Sequence, residues 1–196
     1  MNKRTLTVLL LAAGFSGTLT ACFPLVAGGA VGATMVATDR RTSGAYVDDQ
    51  AIELKAADLI GKKLPSAHVN VTSFNRAVLL TGEVPSQQAR QQADQIARGT
   101  PNVRRVYNYT DVDAAAGLGS RSNDTWITSK VRTRLMEGKG YAPTDIKVVT
   151  ERGVVYLLGL VTQAEGQAAA QVVSQTAGVQ KVVTLFETIQ EITPSN

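Results

Sequence analysis

The chain repeats itself. Asp49-Gln50-Ala51-Ile52-Glu53-Leu54-Lys55 aligns with Asp124-Thr125-Trp126-Ile127-Thr128-Ser129-Lys130, and Val69-Asn70-Val71 with Ile146-Lys147-Val148. Ala77-Val78-Leu79-Leu80-Thr81-Gly82-Glu83-Val84 then aligns with Val154-Val155-Tyr156-Leu157-Leu158-Gly159-Leu160-Val161, and Asn102-Val103-Arg104-Arg105-Val106 with Gly178-Val179-Gln180-Lys181-Val182. The offset stays between 75 and 77. Four ordered blocks at one offset define a duplicated module of about sixty-five residues, so both copies must share one fold.

The periodicity within each copy predicts that fold. Ile52, Ala56 and Ile60 recur every four residues, as do Ile127, Val131 and Leu135, which marks an amphipathic helix with Asp49 or Asp124 at its N-cap. Val69/Val71 and Val78/Leu80, like Ile146/Val148 and Val155/Leu157, alternate as strands do. Asn75-Arg76 and Arg152-Gly153 supply the hairpin turns between them. Ser86 and Gln163 open a second helix, carrying Ala89, Ala93 and Ile96 or Ala170 and Val173, and a last strand covers 103–112 or 179–189. The expectation is an α+β protein of two tandem αββαβ modules, each a three-stranded mixed sheet packed against two helices. The first module spans residues 48–112, the second 124–192, with a small, polar linker at 113–123 and a tail at 193–196.

Upstream, Lys3 and Arg4 precede the apolar run from Leu6 to Ala13, and Leu19-Thr20-Ala21 lead to Cys22, the pattern of a secretory signal over residues 1–21. Leu-Thr-Ala-Cys resembles the bacterial lipobox. That resemblance implies diacylation of the Cys22 sulfur, and Phe23 in place of Asp implies sorting to the outer membrane, facing the periplasm. Lipid chains contribute about 0.8 kcal/mol per buried methylene, so such anchoring is effectively permanent. The glycines between 14 and 32 dilute the segment too far for a membrane span. Residues 22–47, rich in Gly, Ala and Thr, are expected to form a flexible tether.

Composition excludes several functions. A single Cys and a single His leave no intramolecular disulfide and no ligand set for a usual zinc site. Once Lys3 and Arg4 leave with the signal, the charge falls from +4 to +2, too little for general nucleic-acid binding. His68 has no nucleophile partner, Asp48 and Asp49 diverge on a helix, and Glu83 and Glu151 lack a partner at fixed spacing. Gly82 and Gly159 close strands and form no phosphate loop. The sequence implies no enzyme activity, no cofactor and no metal.

The strand ends Leu-Thr-Gly-Glu-Val at 80–84 and Leu-Leu-Gly-Leu-Val at 157–161, each followed by a helix, with Gly-Val-x-x-Val at 178–182, resemble BON domains. The first copy departs from the pattern with Pro101-Asn102 where the family prefers glycine. With the lipobox, the tandem resembles dual-BON outer-membrane lipoproteins. The resemblance implies binding of anionic phospholipid, support of envelope integrity and a link to the division site.

The two first helices differ in a telling way. Ala51, Glu53, Asp58 and Leu59 of the first correspond to Trp126, Thr128, Thr133 and Arg134 of the second, and no acid lies between 125 and 136. Trp126, Lys130, Thr133 and Arg134 flank the stripe that includes Ile127 and Val131. Indole beside cations suits a membrane interface, and these six residues form the candidate phospholipid-binding segment. Two alternatives stay open: Trp126 plugs the gap between modules, or it meets a protein. Arg104-Arg105 and Lys62-Lys63 read as a solvated surface. The expected partner is an anionic phospholipid surface, and the protein is expected to be monomeric. A rival reading makes the tandem a scaffold that recruits envelope proteins through an interdomain groove or its sheet edges.

Overall fold

The computed structural model describes residues 39–114 and 117–190. The signal at 1–21, Cys22, the tether up to residue 38 and the tail at 193–196 lie outside the described residues. The first module runs α1 (Ser43–Lys63), β1 (His68–Phe74), β2 (Ala77–Val84), α2 (Gln87–Arg98), β3 (Arg105–Asn108) and β4 (Asp111–Val112). The second runs α3 (Leu118–Glu137), a 3-10 turn (Pro143–Asp145), β5 (Ile146–Glu151), β6 (Val154–Val161), α4 (Gln163–Ser174) and β7 (Lys181–Thr188). In each sheet the first two strands are antiparallel and the last pairs in parallel with the central one. The expected strand at 103–112 is split into β3 and β4, both parallel to β2; at the break the side chain of Asn108, the last residue of β3, accepts the Thr110 amide and hydroxyl and donates to the Arg90 carbonyl.

Both hairpins turn on two residues in the left-handed region, Asn75 and Arg76 (φ 51° and 64°) and Arg152 and Gly153 (φ 49° and 76°). That conformation matches the twist of the flanking strands. Asn102 and Gly178, at equivalent positions before the last strands, also share positive φ (68° and 97°). Asparagine tolerates this region, so the first copy keeps the turn without its glycine. Gly82 and Gly159 lie inside β2 and β6, one position before the last pair, not at strand ends. A Cβ at Gly82 would stand 2.1 Å from the His68 carbonyl oxygen, and one at Gly159 2.5 Å from that of Asp145.

The helix starts correct the expected boundaries. α1 begins six residues before Asp49, with Thr42 as N-cap accepting from the Ala45 amide, and α3 begins at Leu118 inside the expected linker. Asp49 and Asp124 are therefore buried mid-helix and cap something else. Asp49 accepts the amides of Asn75 (2.7 Å) and Arg76 (2.6 Å) and the Ser73 hydroxyl (2.7 Å). Asp124 accepts those of Arg152 and Gly153, both at 2.8 Å. In each module the first helix thus pins the hairpin turn, which satisfies amides that the turn would otherwise bury unpaired.

Alternate residues of each central strand face different cores. Val78, Leu80 and Val84 join Ile52, Ile60, Ala89 and Ala93 beneath α1 and α2, and Val155, Leu157 and Val161 join Ile127, Val131, Leu135 and Val173 beneath α3 and α4. The opposite faces meet each other: Phe74 and Leu79 pack with Tyr156, Leu158 and Leu185. The layers are helix, sheet, sheet, helix, and the central strands are buried on both sides, as β2 is at all eight positions. Polar bonds frame this apolar centre. Lys147 pairs with Glu53 (2.7 Å), Asn70 donates to Glu151 (2.9 Å), and Arg104 pairs with Glu187 (2.7 Å). Burial between the sheets pushes the Tyr156 phenol up to about 12. The interdomain groove of the scaffold reading is therefore not open at the sheet faces, which pack on each other.

Just before α1, Arg40 and Arg41 reach in different directions. Arg40 pairs with Asp145 (2.9 Å) and Glu165 (2.6 Å) of the second module, whereas Arg41 pairs with Asp49 (2.8 Å) and stacks 4.3 Å from the Phe74 ring of the first. The chain enters the folded unit through a clasp on both modules.

Candidate functional site

The candidate segment lies on α3, anchored by Ile127, Val131 and Leu135 in the second core. Ile127 and Val131 are fully buried, so they hold the helix in place and are not available to touch a ligand, which corrects their inclusion among contact residues. Gly138 ends the helix, its amide donating to the Arg134 carbonyl. Trp126 points away from this core and is 64% exposed, which rules out the reading in which it plugs the gap between modules. Lys130 lies 5.8 Å from the indole centroid and also donates to the Ala177 carbonyl, in the loop between α4 and β7. It braces Trp126 against that loop.

Three outward positions carry hydroxyls whose protons are bonded within the helix. Thr125 donates to the Arg121 carbonyl (3.0 Å), Ser129 to that of Thr125 (3.0 Å) and Thr133 to that of Ser129 (3.1 Å). Such back-bonding to the carbonyl four residues earlier satisfies the donor of each hydroxyl and leaves its oxygen free to accept. Dehydrating the face therefore strips no donor bond from these three hydroxyls.

Two contributors escaped the sequence reading. Met136, 77% exposed, follows Trp126 by ten residues, about 15 Å along the helix. Arg132 is exposed on the other flank from Lys130. The spacing of Thr125, Ser129 and Thr133, four residues apart, was the available signal for this chain of hydroxyl bonds. Among the described residues Arg132, Arg134 and Lys139 have no ion-pair or side-chain hydrogen-bond partner. The first module offers no such arrangement: Asp58 stands where Thr133 does and is neutralised by Lys62 at 2.8 Å.

Among the described residues no cluster of three or more His, Cys, Asp or Glu side chains is placed to hold a metal ion, and no helix is long and apolar enough to cross a membrane. His68 begins β1 opposite Glu83. Glu83 is buried with neither carboxylate oxygen hydrogen-bonded, its nearest cation being Arg152 at 3.9 Å.

Residues 48–114 and 123–190 each match the BON domain family. The chain is 36% identical over 190 residues to outer membrane lipoprotein DolP of Haemophilus influenzae, covering 95% of this chain and 98% of that one. It is 34% identical over 155 residues to a 21 kDa hemolysin of Actinobacillus pleuropneumoniae, covering 78% and 80%. It is also 31% identical over 144 residues to osmotically-inducible protein Y of Escherichia coli, covering 71% and 72%. With two such domains in tandem and an outer membrane lipoprotein matched along almost its whole length, the chain belongs to the BON-domain family, in its two-domain outer-membrane lipoprotein form.

Proposed function

We propose that this protein is a non-enzymatic lipoprotein of the outer membrane, anchored by lipid on Cys22 and facing the periplasm, whose second module binds anionic phospholipid through α3. The observation that carries the reading is the exposed Trp126 on a helix face whose hydroxyls are internally bonded and whose flanking cations Arg132 and Arg134 are free. An indole settles at headgroup depth, and each nearby cation contributes about 1 kcal/mol against an anionic surface, screened by salt. These contacts are weak singly. The lipid anchor raises the local concentration of bilayer and makes them sufficient. Through this contact the protein supports outer-membrane integrity and gathers at the division site, roles that the family resemblance suggests.

The test uses residues 36–196, which contain every residue of the three cores. Phosphatidylglycerol vesicles are expected to shift Trp126 emission to the blue at low salt and not at high salt, with phosphatidylcholine vesicles inert. Emission indifferent to phosphatidylglycerol would sink the reading.

A further inference from the structure

A groove of about 540 Å³ runs beside the candidate face, between the N-terminal half of α1 and the C-terminal half of α3. Phe74, Leu135, Ile146 and Val148 form its buried floor, and Tyr46 (41% exposed) and Met136 stand at its rim. Its volume lies within the roughly 300–1,000 Å³ typical of small-ligand sites. Met136 is flexible enough to close over an irregular apolar body.

The charges lining it select the ligand. Asp49 is taken by the hairpin turn and Arg41, and Glu53 accepts the Ser73 amide and pairs with Lys147. Arg132 is the one lining charge without a partner among the described residues, and three cations against two acids leave the groove positive. A peptide laid on this floor would bury a row of amides against Phe74, Leu135, Ile146 and Val148, and the uncharged polar side chains of the lining, Tyr46, Gln50 and Thr144, are too few to replace the hydrogen bonds lost from water. The lining suits a long apolar chain with one anionic end. Arg132 follows Trp126 by six residues, about 9 Å of rise and about 120° around the helix, so the groove opens on the flank beside the surface that Trp126 meets.

We infer that this groove takes up one acyl chain of a membrane phospholipid, with the phosphate of its headgroup on Arg132. The proposal rests on the phospholipid reading above and extends it from a surface contact to a site for a single lipid.

The probe is lysophosphatidylglycerol below its micelle concentration, added to residues 36–196 and followed by the NMR signal of the Met136 methyl. A saturable shift is expected. Arg132→Glu, on the exposed surface, should weaken it about tenfold or more, the loss expected for a hydrogen bond to a charged group, and lysophosphatidylcholine should bind more weakly than the anionic probe. Gln50→Trp, at an exposed position of α1 that lines the groove and lies outside all three cores, should block the groove and abolish the shift yet leave sedimentation with phosphatidylglycerol vesicles unchanged. Absence of any Met136 shift with the single-chain lipid, while vesicles still move Trp126 emission, would overturn the groove site and leave the surface reading intact. A Met136 shift that follows protein concentration without lipid would assign the groove to a second copy of the chain, and would also overturn it.

Discussion

The Lys130 ammonium sits 5.8 Å from the centre of the Trp126 ring and at the same time donates a hydrogen bond to the Ala177 carbonyl. One side chain therefore ties the exposed indole to the loop before β7. This contact fixes where the indole stands before any membrane is met, which lowers the ordering cost of binding.

Lys130→Gln should therefore weaken binding to anionic vesicles by more than the loss of one screened charge. Trp126→Glu should abolish it. Because Trp126 is 64% exposed, the second variant should keep its stability within about 0.5 kcal/mol. Vesicle sedimentation and urea unfolding of the same preparations check both.

The paired aspartates make a stability prediction. Asp49→Ala removes the acceptor for two turn amides and the Ser73 hydroxyl and leaves them buried, and Asp124→Ala does the same to the Arg152 and Gly153 amides. Each should cost about 2–4 kcal/mol, more at Asp49, where Arg41 also loses its partner. Urea unfolding would show it as a lower midpoint.

Acid should loosen the clasp before α1. Hydrogen bonding from Arg40 holds the Glu165 carboxyl at about 2 against burial, which opposes it, and against an ordinary value of 4.5. The folded form is the stronger acid, so this stabilisation is complete above about 4.5 and is lost as pH falls toward 2. Arg40→Ala should flatten that part of the curve of melting temperature against pH, while lowering stability at neutral pH.

Glu151 should behave in the opposite sense. Burial raises its pKa, with Glu83 and Asp124 adding to the effect and the Asn70 hydrogen bond opposing it. A raised folded value means that stability is greatest below 4.5 and declines as pH climbs through the folded pKa. Glu151→Gln keeps an acceptor for Asn70 and removes the charge. It should be more stable than the parent at about pH 7.5 and equal to it at about pH 4, as measured by urea unfolding at both.

The central strands show how far the sequence could be read. Alternation of Val78 with Leu80, and of Val155 with Leu157, located the strands and their helix-facing sides. Leu79, Tyr156 and Leu158 made those same runs continuously apolar, which is the mark of a strand covered on both faces. Only the facing of one sheet by the other gives those residues a partner, so their role depends on residues some 75 positions away.

The candidate site divides in the same way. Trp126, Lys130, Thr133 and Arg134 stood out because the second copy could be compared with the first, and their neighbourhood on one helix follows from 3.6-residue periodicity alone. Whether Trp126 was exposed, whether Ile127 and Val131 could reach a ligand, and which cations were free depended on what packs against α3.

By itself, the amino-acid sequence determined the duplication, the order of elements, the hairpin turns and the helix that carries the site, since all of these rest on local conformational preference and on the period of apolar residues. The tertiary structure alone decided that Asp49 and Asp124 cap turns in place of helices, that the sheets close on each other, and that Met136 and Arg132 border a groove. Those features arise where groups distant in sequence must satisfy one another's buried surface and hydrogen bonds, and no local pattern records which partner each will find.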